Sequence, residues 1–375
     1  MGSALRLGFL LSCLALPGLP LVARAQAPTT SAAVACTQAQ QARAAGFDAP
    51  RLCAVLREFA ADTVNFHGLV IERHGVVVSQ VYRKGSDKSI YSLLSHDTVF
   101  DARQRHDLRS ISKSVTSLLW GIALDQRKVP PLDTPVLPLF PQLQALQTDG
   151  RESITIAHLL TMSSGLSWNE PTIYNSANDE AGMYWRSSQE RYLFDRPMQA
   201  APGQRFNYNG GGTAVLAHIL ADRVGMALPD YARKNLFAPL GIDDWEWLRD
   251  VRGRPLAFSG LRMRPVDVAR IGRLLLQRGQ WQGRQIVSAS WIDASFKPHI
   301  ATGDGLYYGY QWWQGSVAAG GKRVLWHAGF GNGGQRLFML PELDLVIVMT
   351  AGEYNSPDIG PACRRLLQHI VDSAT

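Results

Sequence analysis

The sequence predicts an α+β fold: an antiparallel sheet built from both chain ends, flanked by helices, with a mostly helical subdomain inserted at about residues 130–290. Three observations predict it. Two strand-like runs lie near the start, helical spacings fill the middle, and four strand-like runs followed by a helical one close the chain.

Arg6 precedes the apolar run from Leu7 to Val22, and Ala23-Arg24-Ala25 fits the small-x-small rule for cleavage after Ala25. Residues 1–25 are therefore expected to be an export signal. The run is short for a membrane span and carries Pro17 and Pro20. A retained anchor and lipidation at Cys13 are the alternatives; no other stretch is long and apolar enough to span a bilayer. The expected destination is the periplasm or the medium, at most in association with the envelope. Residues 26–64 form an N-terminal extension that begins with the polar linker 26–35 and contains Cys36 and Cys53. In an oxidising compartment these two can pair, and closing such a loop of about 17 residues contributes roughly 3 kcal/mol in the chain-entropy model. Both cysteines remaining free is the alternative. Cys363 is left as a small buried hydrophobe.

The catalytic unit is expected over 65–375. Leu52, Val55, Leu56 and Phe59 carry helical spacing over 51–60. His67 to Glu72 and Val76 to Tyr82 read as strands joined by a hairpin at Arg73-His74-Gly75. Residues 109–124 read as an amphipathic helix. Helical patterns follow at 155–162, 212–225, 229–236 and 266–278. Strands return at 307–314, 322–327, 334–340 and 344–350, and 358–371 closes as a helix.

With 46% hydrophobic and 18% charged residues, the chain is not a disordered one. Its formal charge of +7 falls to +5 once the signal is removed, because 36 basic residues then face 31 acidic ones. No charge block is dense enough for a nucleic-acid arm, so no nucleic-acid partner is expected. Gly-x-Ser-x-Gly, His-Glu-x-x-His, Cys-x-x-Cys and the phosphate-loop spacing ending in Gly-Lys-Ser/Thr are all absent. Neither a metal nor a cofactor is expected, nor a nucleotide-binding loop.

Ser-x-x-Lys occurs once, at Ser110 and Lys113, although the chain has only seven lysines. Ile111, Val115, Leu118, Leu119 and Ile122 share one helix face, and Ser110 and Lys113 fall together beside it. Residues three apart on a helix are neighbours. A serine hydroxyl needs a base in hydrogen-bond reach, and a partly buried lysine loses proton affinity and can serve as that base. The helix N-terminus favours an oxyanion there. Ser112 and Ser114 lack a lysine three residues on and read as surface or packing serines.

Four stretches now resemble the serine β-lactamase and penicillin-binding-protein superfamily, in the class C-like branch that includes 6-aminohexanoate-dimer hydrolases and serine esterases. They are LRSISKSVTSLLWGIALD, ITIAHLLTMSSGLSWNE, PGQRFNYNGGGTAVLAHIL and WHAGFGNGGQRLFMLPELDLVIVMTAG, within about residues 65–370. The resemblance implies a β-lactamase/transpeptidase-like fold with Ser110 as nucleophile and Lys113 as base. It also implies that Tyr208 stands in the Tyr-x-Asn position. Here Gly210 replaces the asparagine, with Asn209 one residue early. The Lys-Thr-Gly element falls on His327-Ala328-Gly329, which offers a substrate carboxylate only a weaker, pH-dependent donor. The backbone N–H of Phe330 is expected to complete an oxyanion hole with that of Ser110. Arg336 can bind an acidic group, an exposed structural arginine being the plainer alternative. Trp168, Tyr174, Tyr184, Trp185, Trp312 and Trp313 surround the motifs as packing or substrate contacts.

The resemblance implies a small-molecule ester or linear amide substrate, cleaved through an acyl-enzyme at Ser110. A D,D-peptidase or β-lactamase acting on cell-wall peptides or β-lactams is the alternative enzyme. A noncatalytic protein that binds such fragments is the alternative outside catalysis.

Overall fold

The computed structural model describes residues 32–92, 94–170 and 177–374. The expected signal at 1–25, the linker up to residue 31 and Tyr174 lie outside the described residues. The main sheet has eight antiparallel strands: β1 (Phe66–Arg73), β2 (Val76–Tyr82), β3 (Ile300–Ala301), β4 (Tyr307–Tyr308), β5 (Trp313–Ala319), β6 (Lys322–Gly331), β7 (Gln335–Leu340) and β8 (Leu345–Ala351). Their spatial order is β3-β4-β5-β6-β7-β8-β1-β2, so the first hairpin joins the C-terminal strands through the β1–β8 pair. His74 and Gly75 take positive φ of 53° and 78°, and Arg73 pairs with Val76 across them. That two-residue turn matches the strand twist.

The strand expected over 307–314 is two strands. Between them, Gln311 has a φ of 67°. Its side-chain amide donates to the carbonyls of Leu159 and Leu160 at 3.1 and 3.0 Å and accepts from the Thr213 hydroxyl at 2.9 Å. This anchorage to the helical layer breaks the ladder that the hydrophobic pattern alone suggests.

Every residue of β8 is buried. Val346 and Val348 face one core, and Ile347 and Met349 face the other, as the two-residue strand period requires. On one face pack α1 (Ala32–Gln41), α2 (Ala49–Ala61) and α6 (Ile359–Ser373). Asp48 caps α2 by accepting from the Arg51 N–H at 3.0 Å. Cys36 and Cys53 are bonded, tying α1 to α2, and Cys363 is free and buried. On the other face lie α3 (Ile111–Asp125) and α5 (Pro265–Leu276), followed by the helical layer with α4 (Gly210–Val224). Among the described residues no helix is long and apolar enough to cross a membrane.

The amphipathic reading of α3 is corrected. All of Ile111–Ala123 is buried, because the helix runs between the sheet and the helical layer. A helix enclosed on all sides must satisfy its polar side chains internally. Ser112 donates to the Arg109 carbonyl at 2.7 Å and accepts from the Leu261 N–H at 3.0 Å, and Ser114 donates to the Gln311 carbonyl at 2.7 Å. Both are packing serines.

Candidate active site

Ser110 opens α3, directly after Arg109, which is held at a φ of 50°. A non-glycine residue in the left-handed region stores local strain of the kind found beside functional groups. Among the described residues the Ser110 N–H has no acceptor. One turn on, the Lys113 Nζ lies 2.9 Å from the Ser110 Oγ. The three-residue spacing therefore brings the two side chains together as expected from helix geometry.

The surroundings of Lys113 differ from expectation. Its side chain is fully buried, yet Nζ also meets Glu180 Oε2 at 2.6 Å, Glu170 Oε1 at 3.2 Å and the Phe258 carbonyl at 3.1 Å. Burial alone lowers the proton affinity of a lysine. Here the two carboxylates outweigh burial, and the Lys113 pKa is raised. Lys113 rests as an ammonium rather than as the neutral amine that burial suggests. Neither Glu170 nor Glu180 stood out in the sequence. They lie 57 and 67 residues beyond Lys113, in the loop after Trp168 and in the short helix Asp179–Met183.

Tyr208 precedes α4, with Lys113 Nζ 4.9 Å from its ring centroid. Burial pushes its pKa up to about 12, with Glu170 and Glu180 adding to the rise and Lys113 and Ser110 opposing it. Tyr208 stacks on Trp313 at 5.7 Å between centroids, and Trp313 stacks on Phe330 at 5.5 Å. Ser110, Glu170, Tyr208, Trp313, Phe330 and Arg336 line a cleft of about 280 Å³. Arg336 lies over the Phe330 ring at 4.6 Å and donates to the Gly331 and Gln335 carbonyls. It is partly buried at the cleft wall, not an exposed structural arginine.

Several expected substrate contacts lie elsewhere. Asn209 is buried as the cap of α4, accepting from the Gly212 N–H at 3.1 Å. Trp168 is buried and donates to Glu170 Oε2 at 2.8 Å, so it positions a carboxylate. Tyr184 packs at a tilt against Tyr91 and lines a neighbouring cavity with Trp185. Trp312 is buried in the core. His327 stacks face to face on Phe296 at 4.0 Å, and burial lowers its pKa to about 4. It is a neutral packing group, so the pH-dependent donor expected at this position is corrected.

A Cβ on Gly329 would press on Ser114 and Ile111, behind the cleft. The stretch that reaches the cleft runs instead from Phe330 and Gly331, at the end of β6, to Asn332 and Gly333 beyond it. At Gly331 the strand comes so close to the Ser110 segment that a Cβ would lie 2.3 Å from the Leu108 carbonyl. The register fixed by β7, pairing Phe330 with Arg336, sets this placement, and motif spacing does not carry it. Gly329–Gly334 also spells Gly-x-Gly-x-x-Gly, although no nucleotide-binding loop is expected. It joins two antiparallel strands rather than a strand to a helix, so it lacks the setting of a dinucleotide site.

Chemically, the arrangement offers a hydroxyl nucleophile, an adjacent proton-transfer group and a phenol, all opening on an apolar cleft with one cationic wall. The chain is 26% identical over 299 residues to a 6-aminohexanoate-dimer hydrolase of Paenarthrobacter ureafaciens, a match covering 74% of this chain and 70% of that protein. Its fold is similar to that of an octameric penicillin-binding protein homologue from Pyrococcus abyssi, with a TM-score of 0.63, 22% identity and coverage of 84% and 76% of the two chains. It is also similar to a simvastatin synthase from Aspergillus terreus, with a TM-score of 0.64, 17% identity and coverage of 90% and 97%. The profile of the beta-lactamase family matches residues 67–371, and the chain belongs to that family of serine hydrolases.

Proposed function

We propose that the protein is an exported hydrolase that forms an acyl-enzyme at Ser110 and cleaves a carboxylic ester or a small linear amide. The observation that carries this reading is the 2.9 Å contact of the Lys113 Nζ with the Ser110 Oγ at the cleft floor. Ser110 attacks the carbonyl as its proton leaves toward Lys113. The Ser110 N–H and the backbone at Phe330 receive the oxyanion. Tyr208, neutral at ordinary pH, hands a proton to the leaving alkoxide or amine. Water then releases the acid by the reverse transfers.

The substrate side of the proposal rests on the walls. Trp313, Phe330 and Ile359 favour a small apolar acyl group, and Arg336 can take an acidic end. The β-lactam and D,D-peptide readings are less favoured. Asn209 caps a helix, Gly210 has no side chain, and His327 is held by Phe296, so the groups that would receive those substrates are missing from the cleft. Export is supported by the leader-like residues 1–25 and by the Cys36–Cys53 bond.

A panel of p-nitrophenyl esters, a linear 6-aminohexanoate amide, nitrocefin and D-Ala-D-Ala peptides tests the reading. Esters or the linear amide are expected to turn over fastest, and Ser110→Ala is expected to lower that rate by roughly 10³-fold or more. Nitrocefin outpacing every ester and amide would overturn the substrate assignment.

A further inference from the structure

We propose that Glu170 and Glu180 share one proton and act through Lys113 as the acceptor for the Ser110 proton; this rests on the acyl-enzyme reading above. The two are positioning residues in a buried three-group cluster. Their side chains are 4% and 0% exposed, and that of Lys113 is 1% exposed. Two ionised carboxylates and one ammonium would leave a net negative charge on groups almost wholly buried, which is costly. Both carboxyl groups lie against the same ammonium, Glu180 Oε2 at 2.6 Å and Glu170 Oε1 at 3.2 Å from Nζ. One cation balances one carboxylate, and a proton on the other carboxyl group keeps the cluster neutral. Glu170 Oε2 already accepts from the Trp168 Nε1 at 2.8 Å and the Gly210 N–H at 2.6 Å.

The glycine at 210 makes room for the pair. A Cβ there would lie 2.5 Å from Glu180 Oε2 and 3.1 Å from Glu170 Oε2. The position where relatives of this fold carry an asparagine side chain is thus filled by two carboxyl groups from another segment. Among the described residues, the other titratable groups facing the cluster include the phenols of Tyr91, Tyr208 and Tyr308, all held neutral by burial.

The resulting step balances. Lys113 faces four acceptors, Ser110 Oγ, Glu170, Glu180 and the Phe258 carbonyl, with three N–H bonds to give. As the Ser110 Oγ bonds to the substrate carbonyl carbon, an Nζ proton passes to the ionised carboxylate at Glu180. The Ser110 proton replaces it on Nζ. Lys113 ends as an ammonium again, the carboxyl pair is fully protonated, and the negative charge sits on the oxyanion. On collapse of the oxyanion the leaving group takes the Tyr208 proton, an Nζ proton of Lys113 restores the phenol, and the proton gained by Glu180 returns to Nζ.

Burial, with Glu180 beside it, pushes the Glu170 pKa up to about 8. Below that pH the cluster is neutral. Above it the cluster carries net negative charge next to the forming oxyanion, so acylation should slow as pH rises through about 8.

Infrared titration of the intact protein, with fluorophosphonate labelling rates measured in parallel, tests the proposal. The wild type should show the C=O stretch of a buried carboxylic acid at neutral pH, lost as pH rises through about 8. Glu170→Gln and Glu180→Gln should each abolish it, because the remaining carboxylate then pairs alone with Lys113 and ionises. Glu170→Gln should still label at neutral pH and no longer slow in alkali. Absence of the stretch from the wild type overturns the proposal without needing any variant, and so does its survival in either variant. A stretch without labelling at Ser110 removes the acyl-enzyme reading and leaves the shared proton standing. Labelling without the stretch removes the shared proton alone.

Discussion

Lys113→Met is expected to lower kcat/KM by roughly 10³-fold and to destabilise the fold by about 3–5 kcal/mol. Methionine keeps most of the side-chain volume and removes the charge. The Ser110 Oγ loses its proton-transfer partner at 2.9 Å. At the same time Glu170 and Glu180 lose the cation that lies between them. Removing one member of a buried ionic cluster strands the others, and here they are two carboxyl groups. Both can escape by taking up protons, so their folded-state pKa values rise above the unfolded ones. A carboxyl shifted upward contributes full stability below its unfolded pKa and loses it as pH rises. The deficit of the variant should therefore be largest at neutral pH and shrink on acidification toward the ordinary carboxylate range. Urea unfolding at several pH values checks this. A deficit that does not change with pH would mean that the carboxyl groups are not the cause.

Gly210→Asn supplies the asparagine that the Tyr-x-Asn resemblance implies, yet it is expected to lower kcat/KM by roughly 100-fold. Its Cβ would enter the space of Glu180 Oε2 at 2.5 Å. Both carboxyl groups are buried, and overpacking of this kind costs about 1–3 kcal/mol. Gly210→Ala is the sharper companion. Gly210 is the first residue of α4, where alanine should gain up to about 1 kcal/mol from helix propensity alone. A lower melting temperature for Gly210→Ala shows that the close approach outweighs propensity. A higher one shows that the carboxyl pair is not confined by this position.

The fold was legible because its signals are periodic. The unbroken apolar run of β8 and the three-to-four-residue spacing of α5 survive in any single sequence. Ser110 and Lys113 were legible because one helical turn joins them. Tyr208 was legible only through resemblance, since nothing local distinguishes it from a core tyrosine. Glu170 and Glu180 were not legible, because chain folding alone brings residues so far from Lys113 against it. The one trace they left was negative, a glycine where a side chain was expected. His327 misled for a related reason. Its place in the motif was read along the chain, whereas the cleft is set by where β6 crosses the start of α3, and that crossing is at Gly331. Asn209 illustrates the competition between functions open to one residue type: its amide is spent on capping a helix.

The central claim, a covalent acyl-enzyme on Ser110, is tested most directly by intact-protein mass spectrometry. The protein is quenched during turnover of a p-nitrophenyl ester and its labelled peptide is mapped. The account predicts a mass increase equal to one acyl group, located on Ser110 and absent from Ser110→Ala. Undiminished ester hydrolysis by Ser110→Ala, or an acyl group mapped to another residue, would contradict it.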